Sequence, residues 1–319
     1  MLFQRPDQVP SELVVVTPIF NPLGYRSRWK LYEDFKYMVE RAGVKLMTVE
    51  VAFANREFAV TKPGDPWNLQ LRTNSELWLK ENLINLAVAR IPQDWSYVAW
   101  VDADIAFARH DWANETIRKL QHHPVVQMWS QATDLTPDYE TLQGHRSFAW
   151  CYHNDGEPKM GRYGMHGRKH HWHPGYGWAW RREAWDAVGG LIDWAILGSA
   201  DDHMAKALVG KLDTTMHGHL TPAYKEACRI WQDRATKYLH YDVGYVPGTI
   251  LHYWHGNKTN RQYVSRWKIL VDNKFDPTTD LKRDAQGLWQ LVVETPRQAK
   301  LRDQLRRYFS QRDEDNTSL

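Results

Sequence analysis

Residues 13–19 (LVVVTPI) are a short apolar, β-branched run closed by Pro18, Asn21, Pro22 and Gly24, the pattern of a buried strand running into a loop. From 27 to 42, Leu31, Phe35, Met38 and Ala42 recur at helical spacing, and Gly43 supplies the stop. A second strand is predicted over 44–53 (VKLMTVEVAF). These three elements form a β-α-β unit, which dictates a parallel pair with a right-handed crossover. A polar loop over 55–75 leads to a helix predicted over 76–90 and ended before Pro92. Residues 97–101 (YVAWV) read as a continuous apolar strand that runs into Asp102-Ala103-Asp104, followed by a helix over 111–122 and a strand over 125–130. Strand and helix alternate up to this point, as in a doubly wound α/β sheet.

The periodicity then fades. Residues 143–177 are rich in glycine and carry His145, His153, His166, His170, His171 and His173, so they read as one long functional loop. Regular pattern returns with a helix over 181–188 stopped by Gly189-Gly190, and another beginning near Ser199. Thr221-Pro222 has the form of a cap with proline at the first helical position, opening a helix to about Leu239. A last strand is predicted over 249–254. Residues 298–309 form an amphipathic basic helix with Leu301, Leu305, Tyr308 and Phe309 on one face, and 310–319 are expected to fray.

Composition narrows the classes. At 43% hydrophobic and 25% charged, the 319-residue chain is an ordinary folded protein. Its net charge of +3 excludes a bulk nucleic-acid binder but leaves room for a local basic face. Two cysteines make no disulfide framework, no apolar run is long enough to span a bilayer, and the first residues lack a signal core; together these imply a cytoplasmic protein. The 17 Trp and 15 Tyr serve a core or stack on sugars and bases, and their number alone does not choose.

Three places carry candidate chemistry. Asp102 and Asp104 end a buried strand, where open α/β sheets bind ligands, and a Mg²⁺ or Mn²⁺ ion bridging to phosphates is a good reason for two carboxylates there; turn and helix-capping aspartates are the plainer alternative. Asp201-Asp202 open a helix and offer a general base, although Ser199 and Asp202 also have capping-box spacing. His252 or His255, after the last strand, offers an imidazole to a metal, and Lys258 a cation to a phosphate.

In this order the motifs resemble those of metal-dependent, nucleotide-sugar-using glycosyltransferases of the GT-A fold, over roughly residues 13–260. Asp102-Ala103-Asp104 resembles their Asp-x-Asp motif. Residues 75–87, with Lys80, Glu81 and Asn85, resemble the helix preceding it in β-1,4-galactosyltransferases, and 176–204 (YGWAWRREAWDAVGGLIDWAILGSADDHM) resemble their acceptor segment. His252 with Lys258 resembles the closing pair of glycogenin-like enzymes. The acidic pair departs from the family pattern in being Asp-Asp, and His255 competes with His252.

The resemblance implies an α/β Rossmann-like sheet with helices on both faces. It implies a single catalytic domain over 1–280 (nucleotide-binding half 13–130, acceptor half 131–280), with 281–319 as an extension. The donor implied is a nucleoside-diphosphate sugar, a UDP-sugar first. Thr17, Pro18 and Phe20 would line the base pocket, with Lys80, Asn85, Asp102 and Lys258 also at the donor. Asp102, Asp104, His252 and His255 are the candidate ligands for Mn²⁺ or Mg²⁺. Asp202 would be the base of an inverting reaction and Asp201 a positioning residue. The acceptor hydroxyl belongs to a glycan, a protein or a hydroxymethylated pyrimidine in phage-type DNA; for DNA, Lys258, Arg261, Arg266 and Lys268 with Tyr263 and Trp267 would form a basic, aromatic face. The loop 143–177, made cationic by Arg162, Arg168 and Lys169, would be a lid or hold a second metal. Rival classes are a metal-dependent nucleotidyl or phosphoryl transferase, against which the missing Walker loop counts, and an inert sugar-binding protein.

Overall fold

A computed structural model of the chain describes residues 12–154 and 172–318. In chain order its first half comprises β1 (Leu13–Phe20), α1 (Arg26–Arg41), β2 (Lys45–Phe53), β3 (Asn68–Thr73), α2 (Lys80–Val88), β4 (Tyr97–Val101), β5 (Ile105–Phe107), α3 (Trp112–Leu120), β6 (Val125–Gln127), β7 (Gln131–Leu135), β8 (Thr141–Ser147) and α4 (Phe148–Asn154). The second half comprises β9 (Trp172–His173), β10 (Gly177–Arg181), α5 (Arg182–Val188), α6 (Ala200–Leu208), α7 (Pro222–Leu239), β11 (Val243–Tyr245), β12 (Thr249–His252), α8 (Trp267–Asp272), α9 (Pro277–Asp280), β13 (Leu281–Arg283), β14 (Trp289–Leu291) and α10 (Pro296–Gln311).

The main sheet has the order β11-β6-β10-β4-β1-β2-β3, and β10 alone runs against its neighbours. Alternation along β1 divides the core. Leu13 and Val15 point to the face covered by α1 and α3, with Phe35, Val39 and Ile117. Val14 and Val16 point to the face covered by α2, α5, α6 and α7, with Leu83, Ile84 and Trp231. The expected fold class, an α/β sheet wound on both faces, is the one found. A second sheet, β5-β12-β7-β8-β9, continues from the carboxyl end of β4.

Strand order reverses at the β1–β4 boundary. The chain leaves β1 toward β2 and β3 and later places β4 on the other side. The crevice above that boundary is where such sheets bind ligands.

Four elements differ from expectation. The polar loop 55–75 contains β3, an edge strand with a single neighbour, so its mixed polar pattern (NLQLRT) fits its half-exposed position. The helix expected from 76 starts at Lys80 because the backbone before it is captured by tertiary contact, Trp78 N–H donating to Ile196 at 2.9 Å. The loop 143–177 begins as β8 and α4 and ends in β9 and β10; His166, His170, His171, Arg162, Arg168 and Lys169 lie outside the described residues. Residues 310–318 do not fray: Arg312 and Glu314 are buried, and the Asp315 carboxylate accepts the Arg26 and Ser27 N–H groups, each at 2.9 Å, at the start of α1.

Thr221 caps α7, accepting from Tyr224 N–H, with Pro222 at the first position. α10 opens with a full capping box between Thr295 and Gln298. Its Leu301, Leu305, Tyr308 and Phe309 belong to the same core as Leu83 of α2, so residues 281–311 share the interior of the main sheet's α2 side. Leu305→Ala, which empties a fully buried site, is therefore expected to cost about 2–5 kcal/mol of whole-chain stability; denaturant unfolding measures it, and an unchanged midpoint would mean that α10 is not part of the core.

Candidate active site

A cavity of about 340 Å³ opens at the β1–β4 crevice. Pro18 and Phe20, at the end of β1, line it. Phe20 is held edge-on by Phe53, Trp78 and Phe309, with centroids 5.5–5.8 Å apart. Thr17 does not line it. That side chain is fully buried and its hydroxyl donates to the Val101 carbonyl at 2.8 Å, tying β1 to β4. Asn85 is also elsewhere: its carboxamide clamps Leu191, accepting from the N–H at 2.8 Å and donating to the carbonyl at 3.0 Å. Both corrections have one cause. Side chains alternate along a strand and rotate around a helix, so neighbours in sequence face different sides.

Asp102 and Asp104 follow β4 and separate. Asp102 pairs with Lys80 at 2.5 Å, and the Lys80 ammonium lies 4.5 Å from the Trp100 ring centre. Asp104 is only 5% exposed. Its Oδ2 accepts from Arg28 at 2.9 Å and lies 3.0 Å from His255 Nε2, while its buried Oδ1 has no partner. His252 ends β12, and its Nε2 is 3.1 Å from His255 Nε2. One ligand atom from each of Asp104, His252 and His255 lies within 4.8 Å of the others. Asp102 is outside this cluster. Both histidines considered as rivals are inside it.

One carboxylate and two imidazoles, with an unpartnered carboxylate oxygen among them, fit a divalent ion. Imidazole donors suit Mn²⁺ better than Mg²⁺. Burial alone would raise the Asp104 carboxyl; His255, His252 and Arg28 hold it well below its usual range instead. Burial, together with Arg261 and Arg28, pushes His255 well down, against the pull of Asp104.

Lys258 is not at the cavity. Its ammonium pairs with Asp134, the buried residue opposite His252 in the parallel β12–β7 register. The expected outward basic face also dissolves. Arg261 donates to His255 Nε2 at 2.7 Å and to the Tyr263 hydroxyl at 3.1 Å. Arg266, 6% exposed, donates to Ser199 and Tyr308. Lys268 alone points outward. Tyr263 and Trp267 line the cavity with the two arginines.

Asp201 and Asp202, which also line the cavity, open α6. Ser199 stands at φ +73° and its side chain caps nothing, so the capping-box alternative is not what the acidic pair does. Gly175 lets the chain pass close to Asp201, because a β-carbon there would lie 2.7 Å from its Oδ2. Asp202 accepts from the Thr215 hydroxyl and lies 3.7 Å from Lys206. Burial raises its carboxyl to about 6, against the pull of Lys206. A helix N-terminus favours the ionised form, and desolvation outweighs it. Glu81, which also lines the cavity, is pushed by burial to about 8 and accepts from the Trp78 indole at 3.1 Å.

Among the cavity groups that the sequence reading did not place are Arg28, Arg312 and Glu314. The Glu314 carboxylate accepts from Arg28 at 2.5 Å and Arg312 at 2.7 Å. Burial works against its charge, yet the two arginines hold it well below its usual range. Gly256, at φ +88°, makes room for it: a β-carbon would sit 2.8 Å from the Asp313 carbonyl and 2.9 Å from the Glu314 α-carbon. No local sequence signal marks these contacts. They join residues 25–28 to residues near 314.

Asp202 couples the site to stability. A carboxyl whose pKa rises on folding costs stability once it ionises. The penalty is absent below its unfolded value near 4, grows as pH rises toward 6 and is constant above. Asp202→Asn should therefore melt higher than the parent at pH 8 and at the same temperature at pH 3.5. Lower melting at pH 8 would contradict the desolvated carboxylate.

The chain matches no protein-family model and no curated protein. Among solved structures it is similar to the catalytic domain of Drosophila β1,4-galactosyltransferase 7 in complex with xylobiose, at 12% identity and a TM-score of 0.37, over 91% of this chain and 98% of that one. It is similar to mannosyl-3-phosphoglycerate synthase from Rubrobacter xylanophilus at 12% identity and a TM-score of 0.38, over 89% and 85%. It is also similar to S. aureus TarS 1–349 in complex with UDP-GlcNAc, at 8% identity and a TM-score of 0.38, over 61% and 52%. These structural neighbours are nucleotide-sugar transferases of low sequence identity to the chain.

Proposed function

We propose that the chain is a divalent-metal-dependent glycosyltransferase of GT-A type that moves a sugar from a nucleoside-diphosphate sugar to an acceptor hydroxyl, with inversion. The observation that carries this reading is a single cavity, at the switch point of the sheet, lined both by the Asp104–His252–His255 cluster and by the desolvated Asp202 carboxyl. Pro18 and Phe20 offer apolar surface to the nucleobase. Asp102, fixed by Lys80, faces the donor as an acceptor of sugar hydroxyls.

Asp104, His252 and His255 would hold Mn²⁺, which when bound supplies Lewis acidity at the leaving diphosphate. Arg261 and Arg266 add charge there. Their hydrogen-bond partners are neutral, and neither meets a carboxylate within salt-bridge distance among the described residues. An anion is their missing counterpart. They thus take the role expected of Lys258.

In the same cavity Asp202 takes the proton of the acceptor hydroxyl as its oxygen attacks the anomeric carbon. A pKa of about 6 leaves it ionised at neutral pH yet more basic than an exposed carboxylate. Asp201 positions hydroxyls beside it. Trp172 and Trp267 line the same cavity and give flat faces for a sugar ring. With the basic residues turned inward, a saccharide hydroxyl is favoured over a base in DNA as the acceptor.

The test is a panel of nucleotide sugars incubated with and without Mn²⁺, scored for release of the nucleoside diphosphate. Asp104→Ala is expected to abolish turnover in a protein that still folds but melts lower, because Arg28 and His255 lose a buried partner; turnover that survives both this change and chelation would sink the metal centre. A nucleoside monophosphate product would mark nucleotidyl transfer instead. With the donor in hand, Asp202→Asn is expected to lose ~100-fold or more in turnover, the usual scale for a general base. The parent's rate should climb with pH through about 6 to a plateau, since the base acts only when ionised. Retention of anomeric configuration would remove the base role.

A further inference from the structure

Asp134 lies outside the cavity, yet more polar groups converge on it than on a residue that merely fills space. It is 1% exposed on β7, directly across from His252. An ionised carboxylate only accepts hydrogen bonds, so each partner donates. His252 Nδ1 reaches Oδ1 at 2.7 Å, and the Tyr176 hydroxyl reaches the same oxygen at 3.3 Å. Gln143 Nε2 reaches Oδ2 at 2.8 Å, joined there by the Lys258 ammonium, and His145 Nδ1 stands 3.5 Å away.

The proton of His252 is therefore on Nδ1, and Nε2 carries the lone pair. That nitrogen faces His255 and Asp104. The ring plane is fixed as well. Tyr176 lies against His252 with centroids 4.6 Å apart, and His173 stacks on the other side of Tyr176 at 4.0 Å with an interplanar angle of 3°. A free imidazole has two tautomers and rotates; this one has neither freedom. Burying a carboxylate costs several kcal/mol before its partners repay it, and a leucine would fill the same space, so the shortest of its histidine contacts, at His252 Nδ1, calls for a use.

We propose that Asp134 is the positioning residue of the metal centre. It holds His252 as the Nδ1–H tautomer and aims its Nε2 at the cation, while Lys258 neutralises the carboxylate from behind. This explains why Lys258 is drawn away from the phosphates. The inference rests on the metal-dependent reading above, and it concerns binding of the ion rather than chemistry.

Two measurements on the full chain test it. In the metal-free protein, ¹⁵N-histidine magnetic resonance, with His252 assigned by its loss in His252→Ala, should show a protonated Nδ1 and an unprotonated Nε2; the reverse assignment overturns the proposal without any variant. Mn²⁺ affinity is then read from the free-ion electron paramagnetic resonance signal. Asp134→Asn, which leaves one acceptor oxygen to be shared and no charge, should weaken Mn²⁺ ~10–100-fold, the scale seen for partners of metal-bound histidines. Gln143→Ala, which removes a bond to the other oxygen from an exposed residue, should leave affinity within about twofold. Equal losses in the two variants would show general loosening of the network and defeat the proposal, as would an unchanged affinity in a folded Asp134→Asn. Failure of the parent protein to bind Mn²⁺ would overturn the metal centre itself and this role with it, a result distinct from binding that Asp134→Asn retains.

Discussion

A carboxylate buried at the end of a central strand is unstable unless something compensates it, and Asp104 is such a group. It emerges from β4 at 5% exposure, where desolvation alone would keep it protonated. The compensation comes from two distant parts of the chain: Arg28 at the start of α1, and His252 and His255 at and just after the end of β12. The second sheet exists at this spot because β12 pairs with both β5, which follows Asp104, and β7, which carries Asp134. One buried charge thus requires α1, two strands and a loop to be in register around it.

The compensation propagates. Arg28 cannot serve Asp104 with its whole guanidinium, and its Nε turns to Glu314. Glu314 needs a second cation, which Arg312 supplies. The C-terminal residues that local pattern leaves unstructured are therefore a wall of the cavity, seated in the space that Gly256 leaves open and closed by Asp315 on the N–H groups of α1. The N–H groups at a helix start are unsatisfied within the helix and attract an anion, so the tail docks at both ends by the same electrostatics.

Elsewhere in the cavity the site keeps its carboxyls in the other condition. For Asp202, with Lys206 at 3.7 Å, and for Glu81, near Lys80, desolvation exceeds what the neighbouring cation compensates, and both pKa values rise. Environments that push carboxyls apart in pKa within one cavity are how a fold divides electrostatic stabilisation from proton transfer. Asp104 is held ionised to meet a cation. Asp202 is left basic enough to take a proton. Both line one cavity.

How much of this the residues declare by themselves depends on range. The β-α-β start, the strand ending in Asp102-Ala103-Asp104, the helix opening at Thr221-Pro222 and the apolar face of α10 are local patterns, and the structure has them where the pattern puts them. The motif order also brought Asp104, His252 and His255 under suspicion, because chemistry-bearing side chains after apolar strands are visible in one dimension. What a line of residues does not contain is direction. Thr17 and Pro18 are adjacent, but only Pro18 meets the cavity; His252 and His255 were alternatives until the turn after β12 placed both on Asp104. Lys258, Arg261 and Arg266 read as a basic face, yet one was drawn to Asp134 and two into the cavity, because buried charge seeks its partner across any sequence distance. Local propensity and alternation determined the sheet and its helices; long-range compensation of charge decided the contents of the site.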